Sequence, residues 1–466
     1  MSGNQSQRLE LPPGEFRRLG HSVIDAIADY FEQQRDWPVR LPSQRSELES
    51  ALHPVTEQGR PPDAVIADVM THILPHCMHV NHPRFFAFVP GPSNQIGVLS
   101  ETLASAFNVF AGTWLGGAAA IIVERQTLAW LCAELGLPPQ AGGVLVSGGS
   151  NANLTGLALA VHQGAPRDGV AYFSDQTHSA SERALRVLGF RTENLRRLPS
   201  DDLGRLSMDV LLSAFDSDAK AGLRPACVIA NAGATSTGAV DPLADLADFC
   251  QSRKLWLHAD AAYGGAAALA PRGKRLLAGL ERCDTLALDP HKWLFQPFDI
   301  GCLLARSEQE LVDAFRVMPA YLKDVYRHDA EINYCDRGME LTRPFRALKL
   351  WMSLQVFGAA AFRDAIERGF QLAEFAEQEL RSDPFWEVLT PAQMAIVTFR
   401  PRVPGNCDEA VRAAADAMFH DGYAVLTTTT VRGMAALRLC TINPRTEEAE
   451  IRETIRKLAI MIQDRS

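Results

Sequence analysis

Residues 285–297 read TLALDPHKWLFQP. The short apolar run Thr285–Leu288 suits a strand buried on both faces, and Lys292 follows it directly, just before Trp293. Lysine seldom lies in such apolar surroundings without a partner or a task. Desolvation lowers the pKa of an amine, and the neutral amine is the form that attacks an aldehyde to make a Schiff base. A lysine snorkelling to the surface is the plainer reading of the same residues.

Working outward, LWLHADAAYGG (255–265) places Asp260 immediately after another apolar run. In open α/β sheets ligands bind beyond the carboxyl ends of the strands, so a carboxylate there points at a site. Buried, it needs a cation or donor, and a protonated ring nitrogen would serve. His258 and Asp260 share a strand face, which permits a metal pair; a satisfied structural Asp is the third option. Further upstream, GGVLVSGGSNANLTGLALAV from Gly142 runs a strand into Ser147-Gly148-Gly149-Ser150 and then a helix near Asn151. Free N–H groups and the positive dipole end make such a helix start an anion cup, with Ser150 adding a hydroxyl. It matches neither GxGxxG nor GxxxxGK[ST]. Its rivals are a plain glycine turn and a nucleophile elbow, the latter giving a serine hydrolase that would use Ser150, Asp260 and His291. His178, in SDQTHSASERA, follows the apolar run Ala171–Phe173.

The runs Val144–Val146, Ala171–Phe173, Ala226–Ala230, Leu255–Ala259 and Thr285–Leu288 are continuous rather than alternating. Helical patterns such as Leu154–His162 and Leu243–Ser252 separate them. This predicts an α/β fold with a mostly parallel central sheet covered by helices. Before it, Phe16, Leu19, Val23, Ile27, Tyr30 and Phe31 form one apolar helical stripe, to be covered by a partner subunit or by the chain itself. After Phe357 come a helix through Leu380, FWEVLT, MAIVTFR, a helix from Asp408, YAVLTTTT, MAALRLCTI and a helix from Thr446, a small α+β unit.

Bulk composition excludes several classes. The 466 residues carry 46 Lys+Arg against 55 Asp+Glu, a net charge of −9 with no basic stripe, which argues against a nucleic-acid partner. Hydrophobic residues at 47% and charged residues at 22% are globular values, so disorder, collagen and coiled coil are out. No membrane segment is expected, because the longest near-apolar stretch, Trp114–Val123, is too short to span a bilayer. The nine cysteines without a CxxC pair fit reduced thiols and a cytoplasmic location. His72, His76, His79 and His82 fall in a segment broken by Pro75 and Pro83, and no metal is expected there.

An anion cup, an Asp after one strand, a Lys after the next and a His between them are together what pyridoxal phosphate needs. SDQTHSASERA, HADAAYGG and DPHKWL, with HPRFFAFVPGPSN (82–94), FNVFAGTW (107–114) and RPFRALKLW (343–351), resemble the pyridoxal-phosphate-dependent decarboxylases of the aromatic-L-amino-acid group, group II, fold type I. The resemblance runs from about residue 16 to the C-terminus. It implies a dimerising N-terminal extension (1–90), a large cofactor domain (91–355) and a small C-terminal α+β domain (356–466). It further implies a homodimer with its active site at the subunit interface, acting on a small-molecule amino acid. Lys292 would hold the cofactor's aldehyde carbon, with His291 beside it. Asp260 would pair with the pyridine nitrogen, and Ala262 and His178 would lie against the two ring faces. Gly149 and Ser150 would hold the phosphate, and Thr235 would lie close to the ring.

Tyr321, in MPAYLKDV, matches the tyrosine that protonates Cα after carbon dioxide leaves; aldehyde-forming relatives replace it with phenylalanine or alter the histidine matching His178. Both are intact, so release of an amine is favoured over aldehyde formation. Action on an acidic or aliphatic amino acid is the other alternative within the group. Val80, Phe88, Val89 and Phe110 fall in stretches resembling the substrate wall, and Thr342 stands where plant enzymes sort indole from phenol substrates. One departure matters. Asp289 stands where the animal enzymes contact the phosphate through Asn, and since two anions do not sit together cheaply, Asp289 is expected to point away.

Overall fold

The computed structural model describes residues 9–317 and 331–464. Its larger sheet has seven strands: β1 (Gly142–Val146), β2 (Val170–Ser174), β3 (Leu195–Leu198), β4 (Pro225–Asn231), β5 (Trp256–Asp260), β6 (Thr285–Leu288) and β7 (Gly301–Ala305). They lie in the order β1-β7-β6-β5-β4-β2-β3, with β7 antiparallel to both its neighbours and the pairs from β6 through β3 parallel. Every residue of β1, β2, β6 and β7 is buried, as expected for a sheet covered on both faces.

The helices include α1 (Pro13–Gln33), α2 (Gln95–Phe107), α3 (Trp114–Glu134), α4 (Gly149–His162), α5 (Ser179–Val187), α6 (Leu243–Arg253) and α7 (Ala347–Ser382). The α7 helix starts ten residues before Phe357, earlier than its sequence pattern suggests. Gly358, at φ +73°, interrupts it, a conformation that glycine adopts without steric cost. Beyond it lies a four-stranded antiparallel sheet: β8 (Trp386–Gln393), β9 (Ile396–Pro401), β10 (Thr427–Val431) and β11 (Met434–Cys440), ordered β10-β11-β9-β8. The N-terminal segment is woven into this unit. Phe86 lies in its core with Leu372, Trp386 and Phe399, its amide donates to Val425 O at 2.8 Å, and its carbonyl accepts from Cys440 N.

On α1, Leu19 is buried while Phe16, Val23 and Ile24 are exposed. Its C-terminal end is covered: Tyr30 packs on Trp37 and His79, and the Arg445 guanidinium lies over Phe31. Of the four clustered histidines, His76 Nδ1 pairs with Ser43 Oγ at 2.8 Å and His82 Nε2 with Trp37 O at 3.1 Å. Among the described residues no helix is long and apolar enough to cross a membrane. All nine cysteines are unpaired, and seven of them are buried.

One ion pair fixes the strand that leads to the anion cup. Glu124 of α3 and Arg343 are both about 1% exposed and bonded to each other. Glu124 Oε1 also accepts from Leu145 N at 3.0 Å, while Arg343 donates to Leu145 O and Ala111 O, each at 2.8 Å. The middle of β1 is therefore clamped through both its amide and its carbonyl. Removing one partner of a buried pair leaves an uncompensated charge and costs about 3–5 kcal/mol. Arg343→Leu should accordingly lower the thermal unfolding midpoint clearly, and an unchanged midpoint would refute the clamp.

Candidate active site

The carboxyl ends of β1, β4, β5 and β6 converge on a cavity of about 340 Å³. Gly149, Ser150, His178, Thr235, Asp260, Ala262, His291 and Lys292 all line it. The chain thus brings together every residue that its sequence nominates for the cofactor. Tyr321 lies outside the described residues.

At one end, β1 turns through Ser147 and Gly148 into α4. Gly148 is the cap residue and no side chain bonds the helix start; Asn151 N and Ala152 N donate to Gly148 O, so the N–H groups of Gly149 and Ser150 stay available to an anion. The turn must be glycine. A Cβ on Gly149 would lie 2.8 Å from Asp289 Oδ2 and 3.0 Å from the Ala262 Cβ, and a Cβ on Gly301 of β7 would meet the Gly148 backbone at 2.4 Å.

Asp260 ends β5 and is 8% exposed. It accepts from Asn153 Nδ2 at 3.2 Å, Ser181 Oγ at 3.4 Å and Ala262 N at 3.2 Å. Behind it runs a directed chain of hydrogen bonds. A carboxylate only accepts, so Asn153 must present its NH2 to Asp260 and its oxygen to His258 Nε2 at 2.7 Å. That nitrogen therefore carries the proton. His258 Nδ1 then accepts from Thr285 Oγ at 2.9 Å, and Thr285 in turn accepts the Trp256 indole N–H at 3.1 Å. Burial pushes His258 down to about 4, so the ring stays neutral and keeps this tautomer. With both its nitrogens engaged, His258 has none left for a metal.

The lysine loop is anchored by its neighbour. Trp293 is fully buried, stacked on Tyr263 at 5.4 Å and tilted against Phe370 of α7. Lys292 Nζ lies 3.0 Å from Asp289 Oδ2, so the expectation that Asp289 points away is overturned. The same oxygen lies 3.5 Å from His291 Nε2. The aspartate turns inward because its backbone N–H bonds Ala262 O at 3.1 Å, drawing the loop onto the cup. His178 caps α5 with Nδ1 accepting from Ala180 N at 3.2 Å. Its ring lines the cavity from the solvent side.

The hydrolase arrangement does not form. Asp260 is held by Asn153, Ser181 and Ala262, while His291 turns to Asp289.

Residues 47–402 match the family model described as the pyridoxal-dependent decarboxylase conserved domain. The chain belongs to the pyridoxal-dependent decarboxylase family. It is 43% identical to an aromatic-L-amino-acid decarboxylase of Bacillus atrophaeus, covering 98% of each chain. It is 34% identical to a phenylacetaldehyde synthase of Arabidopsis thaliana, covering 94% of each. An Oryza sativa TDC solved with PLP and tryptamine superposes with a TM-score of 0.91 at 30% identity, covering 98% of this chain and 99% of that one. This protein is a pyridoxal-phosphate-dependent decarboxylase of fold type I, and the uncapped helix start, the cradle at Gly149 and the buried carboxylate fit the cofactor's phosphate and ring nitrogen.

The four residues nominated for the decarboxylase's substrate wall are not brought to this cavity. Val80 packs with Val39, Phe85, Ala87 and Val425, and Val89 packs on the main core. Phe88 is 55% exposed, its carbonyl accepting from Arg438. Phe110 lines a separate cavity of about 500 Å³ together with Thr342, Phe298 and Lys349. Phe298 puts an exposed aromatic ring against His291, at 4.9 Å. Sequence reading missed Asn153. It lies four residues after Gly149 on one helix face, and that spacing was the available signal.

Neutral His258 gives a pH signature. The unfolded chain protonates this ring below about 6.5 and the folded chain only below about 4, so the folded state binds fewer protons between them. Its contribution is complete above pH 6.5 and is lost as the pH falls toward 4, in total about 3 kcal/mol. Denaturant unfolding between pH 7 and 4.5 should fall less steeply in His258→Phe than in the wild type, and parallel profiles would refute the buried neutral ring.

Proposed function

We propose that this decarboxylase removes the α-carboxylate of an aromatic L-amino acid as carbon dioxide and releases the amine. The observation that carries the reading is the convergence of Lys292, Asp260 and the uncapped start of α4 on one cavity. The names of the relatives support the aromatic class, as decarboxylases of aromatic amino acids and aldehyde synthases recur among them. Bound pyridoxal phosphate supplies an electron sink for the electrons left at Cα when the carboxylate departs.

The chain's own groups do the rest. Lys292 would hold the cofactor's aldehyde carbon until a substrate amine takes its place. Asp260, fixed from behind by Asn153, keeps the ring nitrogen protonated, and Ala262 and His178 confine the ring between them. Gly149 and Ser150 hold the phosphate, while Thr235 and His291 border the ring and the lysine. Tyr321 returns a proton to Cα. With Tyr321 and His178 both present, amine rather than aldehyde is the product.

The assembly is a cytoplasmic homodimer whose second subunit completes the substrate wall. Support comes from apolar side chains left bare: Phe16, Val23 and Ile24 on α1, and Leu99, Leu103 and Phe107 on α2. The division into a 1–90 extension, a 91–355 cofactor domain and a 356–466 α+β domain goes with it.

Incubation with tryptophan, tyrosine, phenylalanine, dihydroxyphenylalanine and glutamate, assayed for carbon dioxide, amine, aldehyde and peroxide, tests the reaction. Only the aromatic substrates should give amine. Tyr321→Phe should reduce amine formation about 100-fold or more and raise aldehyde; unchanged amine output would refute the tyrosine's role. Lys292→Ala should lose the borohydride-fixable chromophore. For the assembly, Ile24→Glu should move sedimentation from dimer toward monomer with loss of activity, whereas a wild type sedimenting as a monomer would refute the shared site.

A further inference from the structure

We propose that Arg438 is a positioning residue for the substrate: it fixes Phe88 in a left-handed backbone conformation beside the cofactor cavity, so that the Phe88 ring stands as one face of the wall for the aromatic side chain. The inference rests on the reading that the substrate is an aromatic amino acid.

Arg438 lies on β11 and is 3% exposed. Its Nη1 donates to Phe88 O and lies 3.5 Å from Thr427 Oγ1, and its Nε donates to Ser236 O at 3.4 Å. Among the described residues no carboxylate pairs with this guanidinium. Its titratable neighbours are Cys440 and Tyr263, both kept neutral by burial. An arginine does not shed its charge, and a cation buried this deeply is almost always paired. Holding it among neutral oxygens is costly, so core packing alone does not account for it.

The three oxygens belong to three segments. Ser236 follows Thr235, which lines the cofactor cavity. Thr427 of β10 is the cross-strand partner of Arg438, and its Oγ1 accepts from Phe88 N at 3.4 Å. One rung of the small sheet thus takes both the amide and the carbonyl of Phe88. Between them Phe88 has φ +49°, a region that bulky side chains rarely enter. Two residues earlier, Phe86 is tied to Val425 and Cys440, so the segment cannot slip.

A strained residue persists only where its surroundings over-determine it, and such residues gather at binding sites. Phe85 and Phe86 are buried, whereas the Phe88 ring is turned outward. The core gains nothing from an aromatic ring held in solvent. A flat side chain entering beside the cofactor gains a ring to lie against. Arginine suits the task because its planar fork reaches oxygens on separate segments in fixed directions, which a lysine ammonium does not.

Steady-state kinetics of the holoenzyme test this, using whichever of tryptophan, tyrosine, phenylalanine and dihydroxyphenylalanine the wild type turns over fastest. Phe88→Ala should raise KM about tenfold, with kcat falling far less. Arg438→Met should raise KM to the same extent, and the double variant should be no worse than Phe88→Ala alone, because both changes remove the same wall. Arg438→Lys should not restore KM. Thr427→Val, which removes only the acceptor of the Phe88 amide, should raise KM less and again not beyond Phe88→Ala; it answers the same question if Arg438→Met does not fold. Effects that multiply in the double variants, an unchanged KM in Phe88→Ala, or a loss of kcat without a change in KM would each overturn the inference while leaving aromatic decarboxylation standing. A wild type that turns over no aromatic amino acid would overturn the functional reading and this inference with it.

Discussion

A carboxylate at the buried end of a parallel sheet is tolerable only when donors from several elements meet it, and Asp260 imposes that condition on the whole site. Its three donors come from α4, from α5 and from the loop after β5. Asn153 does two things at once. It stands about 6 Å along the helix axis beyond Gly149, where it donates to the carboxylate, and by bonding His258 it ties that contact to the sheet interior. Lys292 follows from strand order, since β6 lies beside β5 and the loop leaving β6 opens on the same edge.

Rigid supports stand behind each mobile or reactive group. Lys292 is held through its neighbour Trp293, whose buried ring stacks on Tyr263. The cup must accept an anion without rearranging, so β1 is clamped at Leu145 by Glu124 and Arg343. In both cases the fixed residue is buried and the group it serves lines the cavity, so order in the core is converted into position at the site.

The sheet was legible where both faces are covered. Thr285–Leu288 is read to the residue, and the other four continuous apolar runs fall within or one residue off their strands. Two strands escaped. β3 reads LRRL, an edge strand whose arginines face out to Glu182 and Asp218, so its polarity resembles a loop. β7, GCLLA, follows FQPFDI with no helix between, because an antiparallel neighbour needs none. The early start of α7 was hidden because its first turns lie against α2 and carry the buried Lys349, which breaks the apolar pattern. At the site, chemistry that one residue announces was readable, as with Lys292, Asp260 and the glycines. Orientation was not. Whether Asp289 faces in or out depends on a backbone bond to Ala262, which lies 27 residues earlier and has no local signature.

The site divides into two halves of different completeness. Every cofactor contact nominated by the sequence lies within one chain and lines one cavity, whereas the nominated substrate wall is scattered among a packed cluster, an exposed loop and a second cavity. A flat aromatic side chain needs apolar surface on both faces, and around His291 a single chain offers the exposed ring of Phe298. Phe107, Phe110 and Leu103 meanwhile remain exposed on or just after α2. In the proposed homodimer these bare side chains would be covered by the second copy, so that the cofactor cavity is formed within one fold and the substrate is selected by the pair. Thr342 lies with Phe110 in that second cavity, apart from the one lined by Lys292, Asp289 and Asp260, so a change there leaves the cofactor cavity's own lining untouched.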